Sequence, residues 1–277
     1  MFFSVVVLTL LGAPSLFGPL SAPDSRAGGA TPLLPDFDVI TPQGLLTQRA
    51  VVKGKTRFRV SFISAVGNSG AGPGVITGAR DVLAGPATMT ATQVITMSDG
   101  STREIPRVGS LRYNIDPSHA HWHLLSFMTY EWRRASDFKL MRPDAKTGYC
   151  LGDRYRSASK AEGPVPPKAV YELDCAGHDP GAESVMEGIS VGWGDIYSAW
   201  RDAQYIDVTG LPAGTYYLVH RVNEGRLLKE SNYKNNTSSL KVELTWPNGA
   251  GRLPKVVILA ACTNTARCAS GFFFDKI

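Results

Sequence analysis

The 277-residue sequence predicts an all-β protein, a β-sandwich with long irregular loops and few, short helices. Three observations carry this expectation. Short segments alternate apolar and polar residues, which is the period of a half-buried strand. Between them fall 28 Gly and 18 Pro, the residues that turns require. No stretch sustains a 3.6-residue period beyond two or three turns, so nothing calls for a long helix. With 43% hydrophobic and 19% charged residues the chain can bury a core, and disorder, a coiled coil and a collagen-like repeat are excluded. The net charge of +5 comes from 29 basic and 24 acidic side chains without a Lys/Arg block, so no nucleic-acid partner is indicated.

Taken in order, residues 1–23 begin with a run, Phe2 to Ala13, that is almost wholly apolar until Pro14, Gly18 and Pro19 interrupt it. This reads as a signal peptide and implies a secreted or extracytoplasmic protein. The run is shorter than the roughly 20 apolar residues a transmembrane helix needs, so no spanning segment is expected. Residues 24–32 are small and polar and read as a flexible leader. The folded domain is expected over 33–246. Within it Phe58, Val60 and Phe62 alternate with polar residues up to the turn Gly67 to Gly74. Thr92 to Met97 ends at Ser98-Asp99-Gly100. Gly210 to Gly214 leads into a strand at Thr215 to Val222, and Leu240, Val242, Leu244 and Trp246 alternate again. The tail 247–277 offers a last apolar run, Val256 to Ala261, read as a final strand or a disulfide-closed flap.

Four cysteines allow three pairings, and exported chains usually pair theirs. Cys150 with Cys175 and Cys262 with Cys268 close the shortest loops and are the expected bridges. A thiolate metal site would want C-x-x-C spacing, which is absent.

The densest chemical signal is His119, His121 and His123, three of the five histidines, in an H-x-H-x-H array. On an extended backbone all three imidazoles would project from one face while Ala120 and Trp122 turn to the other. Three neutral nitrogens suit Cu(II), Zn, Ni or Fe and leave a coordination position open for water or dioxygen. The plain alternative is a histidine-rich exposed strand.

Four blocks then identify a resemblance. They are LLPDF at 33–37, the histidine triplet, AKTGYCLGD at 145–153, and the long stretch GISVGWGDIYSAWRDAQYIDVTGLPAGTYYLVHRVN followed by ESNYKNN at 230–236. In order and spacing the sequence from about residue 33 to 245 resembles the catalytic domain of the lysyl oxidase family, copper-dependent protein-lysine oxidases that carry a built-in quinone. The resemblance implies His119, His121 and His123 as copper ligands, with Lys146 and Tyr197 as precursors of lysine tyrosylquinone. It implies oxidative deamination of primary amines, either peptidyl lysine or small amines, with molecular oxygen consumed and aldehyde, hydrogen peroxide and ammonia formed. Asp195, the nearest carboxylate in sequence to Tyr197, is the candidate general base. Taken singly, Lys146 reads equally as a solvated turn residue, Tyr197 as a core aromatic and Asp195 as a turn acid.

The first and last blocks also imply calcium held by Asp36, the Phe37 carbonyl, Glu230, Asn232, Asn235 and Asn236, oxygen ligands of the kind calcium prefers. Asn232 stands where the family usually has Asp, and a hydrogen-bonded turn tying two strands is the competing reading. The Pro-rich segment 156–168 reads as an inserted loop of the kind that gates access to a nearby active centre or selects its substrates. Two other functional classes fit parts of the pattern: a non-catalytic metal-binding module that kept the histidines, and a histidine-bound oxygenase with no use for Lys146 or Tyr197.

Overall fold

The computed structural model describes residues 29–80, 87–116, 119–146, 148–172, 174–201 and 203–268. The expected signal peptide, most of the leader and the last nine residues, with Phe272, Phe273 and Phe274, lie outside the described residues. Among those described there is no helix, so the few short helices expected give way to turns. In chain order the strands are β1 (Pro32–Leu33), β2 (Phe37–Val52), β3 (Lys55–Asn68), β4 (Gly74–Arg80), β5 (Thr88–Met97), β6 (Thr102–Tyr113), β7 (Trp122–Leu125), β8 (Met128–Arg134) and β9 (Leu140–Pro143). They continue with β10 (Gly148–Tyr149), β11 (Tyr155–Arg156), β12 (Ser184–Ile189), β13 (Trp193–Tyr197), β14 (Tyr205–Asp207), β15 (Gly214–Val222), β16 (Thr237–Thr245) and β17 (Lys255–Cys262).

All pairings are antiparallel. One sheet has the order β10-β7-β6-β5-β4-β12, with β1 beside β5; a second has β11-β13-β3-β14, with β2 along β3; a third has β17-β16-β15-β8-β9. The second and third form the sandwich. Ser238 Oγ on β16 donates to the Ile40 carbonyl on β2 at 3.1 Å, and the His220 ring on β15 reaches the same carbonyl at 3.3 Å. Alternation fixes which side chains enter the core. Phe58, Val60 and Phe62 are buried from β3, and Leu240, Val242 and Leu244 from β16. Phe62 meets Tyr130 edge-on at 4.8 Å between ring centroids, and Phe37 meets Phe127 at 5.1 Å, so aromatic contacts stitch the layers. Each such fully buried side chain contributes roughly 1.5–3 kcal/mol of burial energy.

The first sheet adds a third layer to the same core through Ile76, Met89, Leu111, Trp122 and Leu124. The apolar run of the tail forms β17, paired with β16 from Ser239↔Cys262 to Thr245↔Lys255. Both disulfides form as expected, Cys150–Cys175 and Cys262–Cys268.

Candidate metal and cofactor site

The histidines converge, but not by strand alternation alone. Only His123 lies on a strand, β7, while His119 and His121 sit in the bend that leads into it. The bend is closed by the His119 amide donating to the Asp116 carbonyl at 2.9 Å and the His121 amide donating to the His119 carbonyl at 3.1 Å. Trp122 points the other way, fully buried, with its indole N–H on the Asp179 carbonyl at 3.0 Å. The extended H-x-H-x-H geometry is thus replaced by a tight turn that still aims three rings at one point. Pairing with β6 begins only at Trp122, opposite Tyr113, so the two earlier histidines precede the ladder.

His121 Nε2 lies 2.8 Å from His123 Nε2, which lies 3.3 Å from His119 Nε2, and the three ligand atoms fall within 4.8 Å of one another. His123 Nε2 carries either one hydrogen or one lone pair, so it cannot satisfy both neighbours. A cation can. Nitrogens about 2.0–2.1 Å from one ion would stand roughly 2.9–3.4 Å apart at angles between square and tetrahedral, close to the two separations that His123 makes. Burial, reinforced by the charge of Lys146, holds the imidazoles below their usual pKa, at about 4 for His119. Burial with the neighbouring His119 holds His121 at about 4, and burial with His121 holds His123 at about 2. All three are therefore neutral with lone pairs available, as a metal requires.

Lys146 and Tyr197, fifty-one positions apart in sequence, are brought together. Lys146 Nζ lies 4.9 Å from the centre of the Tyr197 ring, and both side chains are buried. The approach depends on β10, which pairs Gly148 with Leu125 and Tyr149 with Leu124 on the histidine strand. A Cβ on Gly148 would stand 2.7 Å from the His123 Cβ, so only glycine lets the lysine segment lie this close to the metal-ligand strand. Tyr197 ends β13, where its hydroxyl donates to Asp195 Oδ2 at 2.8 Å and is within 3.0 Å of the Cys150 carbonyl. Burial raises the Asp195 pKa to about 7, against the lowering effect of its hydrogen bond from Tyr197 and of the Arg154 guanidinium 4.0 Å away. Burial also pushes the Tyr197 phenol well above its usual value, so a free phenolate is disfavoured unless a cation stands near. The Cys150–Cys175 bridge fixes both sides of this arrangement, since the Cys175 carbonyl accepts from the Trp122 amide at 3.0 Å.

Two cavities flank the histidines. One of about 440 Å³ is lined by His123, Lys146, Arg112, Tyr113 and Leu125 among others. The other, of about 360 Å³, holds His119, His121, Asp195 and Tyr197, with Arg154, Glu172, Asp174 and Arg201 around them. Of those last four, Glu172 and Asp174 carry no sequence signal, Arg154 directly follows the AKTGYCLGD block, and Arg201 lies within the long block four residues after Tyr197 without being singled out. The Pro-rich segment 156–168 lines neither cavity, contrary to the gate expected of it. It packs along the second sheet, where the Glu162 amide meets the Ser69 carbonyl at 2.8 Å and the Trp193 indole meets the Pro166 carbonyl at 3.2 Å.

The oxygen cluster expected from the first and last blocks also assembles, around Glu230. Its Oε1 accepts from Asn236 and Asn223 at 2.6 Å each, and its Oε2 from the Phe37 amide at 3.0 Å. Asn235 donates to Asp36 Oδ1 at 2.8 Å. Asn232 is engaged differently: its Oδ1 accepts from the Lys234 amide at 3.0 Å in a local turn. Burial raises Glu230 to about 7, with the charge of Asp36 adding to the effect. The buried Asn235 Oδ1 and Asn236 Oδ1 have no hydrogen-bond partner. An excess of oxygen acceptors around two carboxyls is what a hard cation satisfies.

A family model described as Lysyl oxidase matches residues 88–248. The protein-lysine 6-oxidase of Sus scrofa is 28% identical over 128 residues, 46% of this chain and 45% of that protein. That of Gallus gallus is 30% identical over 128 residues, 46% of this chain and 27% of that protein. Lysyl oxidase homolog 2 of Rattus norvegicus is 26% identical over 139 residues, 50% of this chain and 16% of that protein. The chain thus matches less than half the length of these relatives. The match to residues 88–248 takes in the histidine turn, Lys146 and Tyr197, and on it the chain belongs to the lysyl oxidase family.

Proposed function

We propose that the protein is an exported, copper-dependent amine oxidase that converts primary amines to aldehydes, consuming dioxygen and releasing hydrogen peroxide and ammonia. The observation that carries this reading is the placement of Lys146 Nζ 4.9 Å from the Tyr197 ring beside three neutral imidazoles. Copper at His119, His121 and His123 would supply the redox chemistry with dioxygen that turns a tyrosine and a lysine into lysine tyrosylquinone, whose carbonyl condenses with an amine. The remaining work falls to the chain itself. Asp195 and the Cys150 carbonyl orient the Tyr197 phenol, and Asp195 is placed to accept its proton. An Asp195 pKa of about 7 suits a general base working near neutrality, where removal of a proton from the substrate carbon is the demanding step. The amine, peptidyl lysine or a small one, would enter the 360 Å³ cavity, where Glu172 and Asp174 offer acceptors for its N–H groups and Arg154 and Arg201 balance their charge.

Calcium belongs to the same reading, held by Asp36, Glu230, Asn235, Asn236 and the Phe37 carbonyl, with Asn232 engaged in its own turn. A bound divalent cation would ionise Glu230 and occupy the two orphaned amide oxygens. Export is supported by the apolar leader and by two disulfides. No helix of the described residues is long and apolar enough to cross a membrane.

The test is to load the full chain with copper in air and measure two things: covalent reaction with a hydrazine, and peroxide formed from lysine-like amines. Adduct and peroxide together are expected. Bound copper with neither would leave a non-catalytic metal-binding module. Turnover retained in Tyr197→Phe would favour the histidine-bound oxygenase.

A further inference from the structure

Lys146 does not face one tyrosine but two. Its Nζ lies 4.9 Å from the Tyr197 ring centre and 5.2 Å from that of Tyr149. The two rings meet edge-on, 5.0 Å apart at 82°, and both are buried. Distance therefore hardly discriminates between them. The hydroxyls differ. That of Tyr197 donates to Asp195 Oδ2 at 2.8 Å, whereas that of Tyr149, also buried, has no carboxylate within hydrogen-bond distance and faces the hydroxyl of Tyr130, itself bonded to Ser64 Oγ. Oxidising a phenol means removing its proton along with its electrons. A carboxylate at hydrogen-bond distance accepts that proton readily, while the neutral hydroxyls of Tyr130 and Ser64 accept it far less readily, so the Tyr149 ring is the slower of the two.

We propose that Tyr149 is a second tyrosine competent to be oxidised and joined to Lys146, and that Asp195 directs the reaction to Tyr197 by accepting its phenol proton. The inference rests on the proposed copper and dioxygen chemistry. The steps balance for either ring. One dioxygen converts the phenol to an ortho-quinone and one water. The lysine nitrogen then bonds to a ring carbon, which loses its proton to give an aminocatechol. A second dioxygen takes two electrons and two protons from it, restoring the quinone and forming hydrogen peroxide. Asp195 acts here on the precursor tyrosine rather than on the amine, so the informative readout is which tyrosine carries the lysine rather than how fast amines turn over.

The experiment is peptide mapping by mass spectrometry of full-length protein matured with copper in air, with bound copper measured alongside. Wild type should give a covalent pair of peptides containing Lys146 and Tyr197. In Asp195→Asn the yield of that pair should fall at least tenfold. An internal link between Lys146 and Tyr149 should appear, recognised by its mass and by missing fragment ions between the two residues, and should vanish in Asp195→Asn with Tyr149→Phe. Tyr197→Phe, a second route that leaves Asp195 intact, should give the same internal link. Copper-bound variants with no Lys146–Tyr149 product, or an Asp195→Asn chain that keeps the wild-type pair at full yield, would overturn the assignment while leaving the proposed function standing. A copper-loaded wild type without the Lys146–Tyr197 pair would remove both.

Discussion

Two clusters in this molecule gather ligand-type side chains from distant parts of the chain, and they are prepared in opposite ways. The histidine site is assembled from neutral nitrogens that burial has already stripped of protons, with pKa values at or below about 4. It opens on two cavities. The oxygen cluster ties the beginning of β2 to the segment before β16 and holds a carboxyl, Glu230, whose pKa is raised to about 7. Desolvation therefore readies a base site for a metal, but works against a carboxylate site until a cation arrives. The first arrangement suits a centre that must exchange ligands during turnover, and the second a clamp that trades ionisation for stability once filled.

The largest effect that would break this contrast is loss of a ligand nitrogen. His123→Ala is expected to weaken copper binding by more than about 100-fold, since even the outer partners of metal ligands are commonly worth roughly 10–100-fold. Titration against a competing chelator measures this. Unchanged affinity would mean that the three rings do not share an ion. Next in size is the Cys150–Cys175 bridge, which closes 25 residues and holds both the histidine strand and the Cys150 carbonyl 3.0 Å from the Tyr197 hydroxyl. Replacing both cysteines with serine should cost about 3 kcal/mol in denaturant unfolding. It should also lower the yield of the Lys146–Tyr197 link. A stability loss with full crosslinking would separate the bridge from the site.

The two clusters were also legible to different degrees. The histidine triplet announces itself because three of five histidines fall within five positions, yet its geometry could not be read from spacing: the expected strand is a turn, and only His123 keeps strand pairing. The meeting of Lys146 with Tyr197 depends on Gly148 lying flat against His123, a tertiary contact that no local period records; the family blocks pointed to it. For the same reason Tyr149 is one letter of a motif in the sequence, and the fold alone brings its ring within 5.2 Å of Lys146 Nζ. In the oxygen cluster Asp36, Glu230, Asn235 and Asn236 come together as the blocks imply, but Asn232 closes a local turn, a choice short Asn side chains make readily. Among strands, β3 and β16 were readable from alternation because each buries one face. In the first sheet β5 alternates as regularly, whereas β6, mostly exposed and broken at Gly109 opposite the register shift at Ala91/Thr92, does not.

The contrast in protonation sharpens into a pH experiment. Glu230 is raised from an ordinary 4.5 to about 7 in the cation-free fold, so between those values the unfolded chain has released a proton that the folded chain still holds. Stability from this group is fully present below pH 4.5 and is lost as pH rises to about 7, by a few kcal/mol at most. Calcium should abolish that loss by ionising Glu230 in the folded state. The difference between melting curves with calcium and with chelator should therefore widen from pH 5 to pH 7 and disappear in Glu230→Gln, whereas a difference independent of pH would assign the cation elsewhere.

The smallest expected effect lies away from both clusters, at Cys262–Cys268. This bridge closes only six residues at the end of β17 and packs against Tyr217, Val219 and Ala260 in a small cluster separate from the main core. A loop that short restricts the unfolded chain less, so replacing the pair with serine should cost roughly 2 kcal/mol. The change would fall on an edge strand with half-exposed Val257, Ile258 and Leu259. Copper affinity and the Lys146–Tyr197 link should be untouched, because β17 is the edge strand of its sheet, paired with β16 and carrying none of the site residues. If removing this bridge altered metal binding as much as removing Cys150–Cys175, the rigidity of the metal centre would have to be a property of the whole sandwich rather than of the strands that carry its ligands.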